Sequence, residues 1–401
     1  MITVQYLEDA PELNTLDAGV VKKKLRDAYQ CLPFSHLLIG WNLPRGLLEA
    51  CRIEAEALGI RFLRWHPLLT SDGTFEPRPE WQVISAGGGK VMGFRNMPEF
   101  TFVCPNHPQV QEAIVDRVSE LVREGIYQGF FLDRIRFPSP SADPLNHLGC
   151  FCEHCLRKAD RFGLDLMEVR RKILQLTQTE QGCVGLVQAL LSEKQTSLDE
   201  PARQMVRAFL DFRQRSVTDF VSKVCGLLKQ GNMEIGLDCF SPGLARMVGQ
   251  DLNSLSRVAD WIKVMSYLHT MGPAGLPFEL LGILDYLLTT TRLSVAQVLT
   301  LIRNVLDLPL PESRQELVAV GLSSQALQVE LRRGLDNCHA PLLVGIELVE
   351  LDGVANPHPE QIKADLAGIK AMNVDGIAIS WDLWHIPLTR LELVRQAYLE
   401  G

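Results

Sequence analysis

The sequence has no cluster of basic residues and no apolar run long enough to cross a membrane. A net charge of −8 over 401 residues argues against a nucleic-acid-binding surface, which needs basic clusters. A membrane helix needs roughly 20 apolar residues, and no run approaches that length. The opening MITVQYLEDA has neither a basic start nor an apolar stretch, so no signal peptide is expected. We therefore predict a cytoplasmic protein that binds neither nucleic acid nor membrane.

A phosphate-binding glycine fingerprint is also missing. No GxGxxG follows the first predicted strand, and the stretch GGGK at 87–90 lacks the spacing of a phosphate loop. This absence counts against a dinucleotide-binding fold. Ten cysteines without an export signal indicate free thiols or metal ligands in a reducing compartment, and not a disulfide framework.

What the sequence does contain is a series of short apolar segments that alternate with helical ones. Eight such segments are the pattern of a closed (β/α)₈ TIM barrel of the α/β class, and an open doubly wound sheet is the alternative. We predict one barrel domain over 1–401, with helical insertions after strands four and six, at about 156–232 and 272–341. The predicted strands are 35–42, 59–67, 100–105, 129–133, 233–240, 260–267, 342–348 and 375–382.

Acidic residues stand at the ends of four predicted strands, where barrel enzymes carry their active sites. They are Asp133, Asp238, Glu347 and Asp382. Glycoside hydrolysis needs two carboxyls, one to protonate the leaving oxygen and one to attack the sugar or activate water. Strands four and seven can face each other across the mouth, so we predict Asp133 and Glu347 as the catalytic pair, with Asp238 in reserve. For each acid the alternative is a salt bridge or a loop cap.

Other residues at strand ends are predicted to bind substrate. Side chains alternate along a strand, so Trp381 and Asp382 cannot both face the barrel axis, and Trp381 is the better platform for a sugar ring. Ordinary aromatic core is its alternative. An arginine beside Asp133 would keep that carboxylate ionised, unless both nearby arginines pair with acids on the barrel exterior. The predicted set is Trp381, Tyr267, Arg134, Arg136, His66, Trp41, Asn42 and Asp382.

Three thiols fall within six residues, at Cys150, Cys152 and Cys155. This spacing is typical of metal ligands, and a structural zinc takes four. Cys104 is the best fourth ligand, with His107, His147 and His154 as alternatives. A site made of cysteines alone is closed to substrate, so we predict structural Zn²⁺ that fastens the loop after strand four. Three reduced structural cysteines are the alternative.

The stretch CPNHP at 104–108, followed by a helix, a strand and CFCEHC at 150–155, resembles the β-galactosidases of glycoside hydrolase family 42. The resemblance implies a (β/α)₈ barrel with zinc held by Cys104, Cys150, Cys152 and Cys155. It also implies an acid/base after strand four and a nucleophile after strand seven, where Glu347 stands.

The end of strand four departs from that family, which has Asn-Glu where this chain has Leu132-Asp133. The string GFFLDRIRFP at 129–138 more closely resembles uncharacterised barrels of glycosidase type. It is also distantly similar to the α-amylase class, whose nucleophile is the strand-four aspartate. That class has an arginine where this chain has Phe131.

The sequence therefore predicts a glycosidase that hydrolyses a carbohydrate or glycoside with a carboxylate pair. Two alternatives are a non-catalytic barrel that binds a carbohydrate or a protein partner, and a barrel lyase or metal-dependent hydrolase. The sugar, the linkage, the stereochemistry and the oligomeric state, homo-oligomers included, stay open at this point.

Overall fold

The chain forms a closed barrel of eight parallel strands, in a computed structural model that describes residues 1–8, 11–73 and 77–400. Each strand pairs with the next along the chain, and the eighth pairs with the first through Ile2 and Ile377. The predicted (β/α)₈ barrel is confirmed, and the open sheet is excluded. The strands are β1 Ile2–Tyr6, β2 His36–Ile39, β3 Arg61–Pro67, β4 Gly129–Asp133, β5 Glu234–Phe240, β6 Trp261–Met265, β7 Leu342–Glu347 and β8 Gly376–Ser380.

Two strand assignments made from the sequence are wrong, although the count of eight is right. The first barrel strand is β1, whose buried Thr3 and Gln5 interrupt the apolar pattern that marks the other strands. The segment 100–105 is not a barrel strand. It forms one isolated antiparallel bridge, between Gln82 and Val103, and Phe102, Val103 and Cys104 belong to the hydrophobic core outside the barrel interior.

Helices surround the barrel and fill both predicted insertions. Aspartate, serine and threonine side chains cap many of their N-termini, which offsets the unpaired backbone N–H groups there. Within the described residues no helix is long and apolar enough to cross a membrane. The α-helices are α1 Ala18–Cys31, α2 Arg45–Ala57, α3 Pro108–Glu124, α4 Pro144–His147, α5 Glu153–Asp160, α6 Leu166–Leu176, α7 Glu180–Leu191, α8 Glu200–Gln230, α9 Pro242–Ala245, α10 Leu252–Leu255, α11 Leu276–Thr290, α12 Val295–Leu306, α13 Arg314–Ala319, α14 Ser324–Asn337, α15 Pro359–Met372 and α16 Leu388–Val394.

Shorter helical turns lie in the loops and at the C-terminal end. A π-helical turn, Arg395–Glu400, follows α16. The 3₁₀ turns are Pro11–Thr15, Pro79–Trp81, Phe94–Asn96, Pro98–Phe100, Arg246–Val248 and Leu383–His385.

A separate cluster of apolar side chains fills the inside of the barrel. It is distinct from the larger core between the strands and the surrounding helices. Phe131 and Trp261 stack in this cluster with ring centroids 5.3 Å apart. The cluster fills the middle of the barrel, as expected of a packed core, and leaves open only the end at which the strands terminate. Its members are Leu38, Trp41, Leu63, Trp65, Phe131, Trp261 and Leu343.

Candidate active site at the barrel mouth

A cavity of about 350 Å³ opens at the C-terminal ends of the strands. We call it the inner cavity. Its size lies within the range of small-molecule sites. It brings together seven of the predicted site residues from different strands and the loops that follow them, namely Trp41, Asp133, Arg134, Arg136, Asp238, Tyr267 and Trp381.

Asp133 is the last residue of β4 and lines the inner cavity. Its Oδ2 accepts a hydrogen bond of 3.0 Å from the indole N–H of Trp65, and its Oδ1 accepts one from the backbone N–H of Arg134. Each of its two oxygens therefore accepts one N–H hydrogen bond. Asp133 is therefore held in a fixed orientation toward β3.

Asp238 lies beside Asp133, because Leu132 of β4 pairs with Leu237 of β5 and the next residue of each strand is the aspartate. Its Oδ2 accepts a hydrogen bond of 2.9 Å from the ammonium group of Lys263, while its buried Oδ1 has no hydrogen-bond partner among the described residues. Burial, with a smaller contribution from the Asp133 charge, raises the pKa of Asp238 to about 7 against the lowering effect of Lys263. A carboxyl with this pKa can donate and accept a proton near neutral pH.

Lys263 is completely buried inside the barrel on β6. Its ammonium group also donates to Gln5 Oε1, at 3.0 Å, and lies 5.2 Å from the ring centre of Tyr267. A Cβ on Gly345 would lie 2.7 Å from Tyr267 and 2.8 Å from Lys263, so only glycine leaves room for both side chains. Since buried charges need partners, Lys263 fixes one oxygen of Asp238 and leaves the other free.

Glu347, the predicted partner of Asp133, does not line the inner cavity. Its Oε1 accepts hydrogen bonds from the backbone N–H of His269 at 2.6 Å and the hydroxyl of Thr270 at 3.4 Å. Burial raises the pKa of Glu347. Burial also lowers the pKa of His269, but the hydrogen bond to Asp365 and the charge of Glu347 outweigh it and raise this pKa to about 9. Glu347 therefore holds the loop after β6 in position.

Aromatic and cationic side chains form the walls around the two aspartates. The guanidinium group of Arg134 lies over the rings of Trp41 and Phe100, at 5.1 and 4.6 Å from their centres. Arg136 lies between other rings, and burial lowers its pKa to about 10, so it stays charged at neutral pH. Both arginines thus belong to the mouth of the barrel and not to its exterior.

Three predicted binding residues lie outside the inner cavity. His66 points to the helix layer, where burial lowers its pKa to about 3 and its ring packs against Phe130. Asn42 is exposed in the loop after β2, next to Gly73. Asp382 caps the 3₁₀ turn Leu383–His385 and accepts hydrogen bonds from backbone N–H groups. Trp381 lines the inner cavity and Asp382 does not, but both follow the last residue of β8, Ser380, so alternation along the strand does not account for the difference.

Sequence reasoning missed several residues of this site. The sequence around Lys263 could have indicated a buried site, because a lysine within the apolar segment WIKVM needs a buried counter-charge. The indication for Trp65 was weaker. It stands two positions after Leu63 on the same strand, so both side chains face the barrel interior. Gln5 lies on the strand that was missed. The loop residues Phe94 and Phe100 come from a Gly- and Pro-rich stretch without a regular pattern.

The four cysteines predicted as ligands meet in one cluster. Their sulfur atoms all lie within 4.8 Å of one another, with Cys104 Sγ at 3.4 Å from Cys155 Sγ and 3.6 Å from Cys152 Sγ. In a tetrahedral site with Zn–S bonds of about 2.3 Å, neighbouring sulfurs are about 3.8 Å apart. The cluster, completed by Cys150, therefore has the donor set and size to hold a metal ion.

N–H groups surround this cluster, as is usual around metal-bound sulfur. The backbone N–H groups of Ile84 and Asn106 donate to Cys150 and Cys104 at 3.4 Å, and the Asn106 side chain donates to Cys155 at 3.2 Å. The cluster joins the segment before α3 to the start of α5. It thereby connects the loops after β3 and β4, both of which line the inner cavity.

Comparison with known proteins gives likenesses of fold. No protein-family model matches the chain, and no curated protein matches it in sequence. The glycoside hydrolase domain of PgaB (BpsB) from Bordetella bronchiseptica is 12% identical, with a TM-score of 0.58 over 99% of this chain and 98% of that one. The catalytic domain of β-amylase from Paenibacillus polymyxa is 10% identical, with a TM-score of 0.53 over 100% and 98%.

A β-galactosidase from the psychrophilic Marinomonas ef1 is also similar, at 11% identity and a TM-score of 0.59. This chain matches over its full length but spans only 59% of that protein. At these identities the likeness establishes the barrel architecture shared with glycoside hydrolases, and membership of family 42 is not confirmed. Fold and cavity together define a (β/α)₈ barrel with two neighbouring carboxylates at its mouth.

Proposed function

We propose that this protein is a glycoside hydrolase and that Asp133 and Asp238, in place of Asp133 and Glu347, are its catalytic carboxylates. The observation that carries the proposal is that both aspartates line one aromatic-walled cavity, whereas Glu347 does not. Glycoside hydrolysis needs two carboxyls on one bond. The barrel likeness to glycoside hydrolases supports the same reaction class.

The two aspartates suit different roles. Asp238, with a pKa of about 7 and a free Oδ1, is the acid that protonates the leaving oxygen. Asp133, with both oxygens accepting N–H bonds, is the carboxylate that attacks the sugar or activates water. Pairs of carboxyls in different environments divide the work in this way.

Unpaired polar atoms around the cavity fit a ligand rich in hydroxyl groups. The indole N–H of Trp41, Oδ1 of Asp238 and Nε of Arg136 are buried, and none has a hydrogen-bond partner in the described part of the chain. Buried polar groups are normally paired, and a ligand in the cavity would pair these three only if their side chains shift to expose them. Sugar hydroxyls donate and accept, and Trp381 offers a ring face on which a sugar can stack.

We also propose that the cysteine cluster holds one structural Zn²⁺. Four thiolates leave no open coordination position, so the ion would take no part in the reaction. Its effect would be to fix the loops that form the cavity walls.

A panel of 4-nitrophenyl glycosides of the common hexoses and N-acetylhexosamines tests the reaction class. We expect release of 4-nitrophenol from one of them, with activity falling as the pH rises above about 7, because Asp238 must be protonated. Sugar binding in calorimetry without any turnover would favour the non-catalytic barrel. Turnover that depends on an added divalent metal, with the cysteine site already filled, would favour the metal-dependent hydrolase.

Lys263 is expected to set the pH range of activity. Its charge lowers the pKa of Asp238, so Lys263→Met should raise that pKa and keep the acid protonated to higher pH. The alkaline limb of kcat/KM should move upward by about one pH unit or more. The matched control is Ser380→Ala, which removes a hydrogen bond to Gln5 in the same network without changing charge. If the alkaline limb of the kcat/KM profile lies at the same pH in Lys263→Met, the role given to Asp238 is contradicted.

A further inference from the structure

A second cavity of about 350 Å³ adjoins the first. It lies between the loops after β3 and β4 and the first turn of α11. We call it the outer cavity, and its own wall includes Phe102, Ser139, His147, Phe278 and Glu279. None of these residues lines the inner cavity.

The two cavities share a boundary. Phe94, Arg95, Phe100, Arg136 and Pro273 line both of them. The two cavities therefore adjoin across these five residues, and a ligand that extended past Arg136 from the two aspartates would enter the outer cavity. A ligand confined to one ring beside the aspartates would leave the outer cavity unused.

The outer cavity combines aromatic faces with polar groups. Phe94 contacts Phe278 and Phe100 edge to face, with ring centres 5.5 and 6.1 Å apart. The guanidinium group of Arg136 is held between the rings of Phe102 and Phe240, at 4.5 and 4.6 Å from their centres, and its Nε is unpaired. Apolar faces beside a few fixed polar groups suit a sugar ring, which has C–H faces and hydroxyl edges.

Charge in this region is already balanced within the protein. Burial lowers the pKa of Arg136, and the carboxylates of Glu279, Asp133 and Asp238 act in the opposite direction. Glu279 in turn accepts hydrogen bonds from Ser141 at 2.7 Å and the backbone N–H of Ala274 at 3.0 Å. Because Arg136 has acidic neighbours, its charge needs no anionic ligand, and a neutral sugar suits the space beside it.

We propose that the outer cavity binds a second sugar ring of the same substrate, so that the substrate is a neutral oligosaccharide or polysaccharide. The proposal rests on the proposed hydrolase function. It goes further in stating that the protein distinguishes chain lengths, which the catalytic pair alone does not require.

The test compares the 4-nitrophenyl monoglycoside that the protein hydrolyses with the 4-nitrophenyl glycosides of the di-, tri- and tetrasaccharides of the same sugar, so that the leaving group is constant. We expect kcat/KM to rise at least tenfold from the monoglycoside to the longer substrates, as one additional stacked ring would provide. In Phe278→Ala this advantage should fall roughly threefold to tenfold, while monoglycoside hydrolysis stays unchanged. Ala142→Trp, which places a ring in the exposed part of the outer cavity, should act in the same direction.

Phe162→Ala is the matched control, because Phe162 is a half-exposed ring that lines neither cavity. The proposal is overturned if kcat/KM is independent of chain length, or if Phe278→Ala and Ala142→Trp reduce both kinds of substrate equally. Either result leaves the hydrolase assignment intact, since monoglycoside turnover is still seen. Failure to hydrolyse any glycoside overturns both proposals.

Discussion

Asp238→Asn is expected to reduce kcat by about 10²–10⁴-fold on natural-type substrates, the usual contribution of a general acid. Asparagine keeps the size of the side chain and can still accept a hydrogen bond from Lys263, but it has no proton to give. The variant should also lose the decline in activity above pH 7, because the group that titrates there is gone. A kcat and pH profile over about pH 4 to 10 measures both effects.

Asp133→Asn should be at least as damaging, because an amide neither attacks the anomeric carbon nor activates water. Trp65 and the backbone N–H of Arg134 donate to different oxygens of Asp133, so asparagine keeps only one of these two hydrogen bonds. The two variants separate the proposed roles, since only Asp238→Asn should abolish the pH limb near 7. Circular dichroism and thermal melting distinguish loss of chemistry from loss of fold.

Glu347→Gln is the matched control and also the direct comparison with the pair predicted from sequence. Glutamine keeps an oxygen for the backbone N–H of His269, so we expect a folded protein that retains most of its activity. If Glu347→Gln abolishes turnover in a folded protein while Asp238→Asn does not, the pair is Asp133 and Glu347 and our assignment is wrong.

Removal of the metal is expected to have the largest effect on stability. Structural zinc sites contribute free energy of folding directly, so Cys155→Ala or prolonged chelation should lower the melting temperature by on the order of 10 °C. The purified protein should contain one zinc per chain by mass spectrometry of the metal, and Cys155→Ala should contain none. Activity should fall with the metal, because the cluster connects two loops that form the cavity walls.

Cys225→Ala is the control for the cluster. Cys225 is equally buried, on α8, but lies outside the group of four. Its truncation should cost about 1 kcal/mol and leave the metal bound. Iron in place of zinc would contradict the identity of the ion, since a site of four sulfurs also accepts iron. A fully stable protein purified without any metal would contradict the site itself.

The sequence by itself determined the barrel and the cysteine cluster. Strands such as β4 and β7 are buried on both faces, so each reads as a short apolar run between turns. The spacing of Cys150, Cys152 and Cys155 likewise indicates that three thiols lie close together, because they fall within six residues. Both signals arise from neighbouring residues, which is why they are visible without knowledge of the rest of the chain.

The tertiary structure decided which of the predicted residues share a cavity. Glu347 and Asp238 both stand near the ends of strands. The backbone N–H of His269, in the loop after β6, binds the first, and Lys263 holds the second in the mouth. Strand β1 was missed because its polar Gln5 bonds to Lys263 on the far side of the barrel. These contacts join residues that are 25, 78 and 258 positions apart in the chain, so the pattern around each residue carries no record of them.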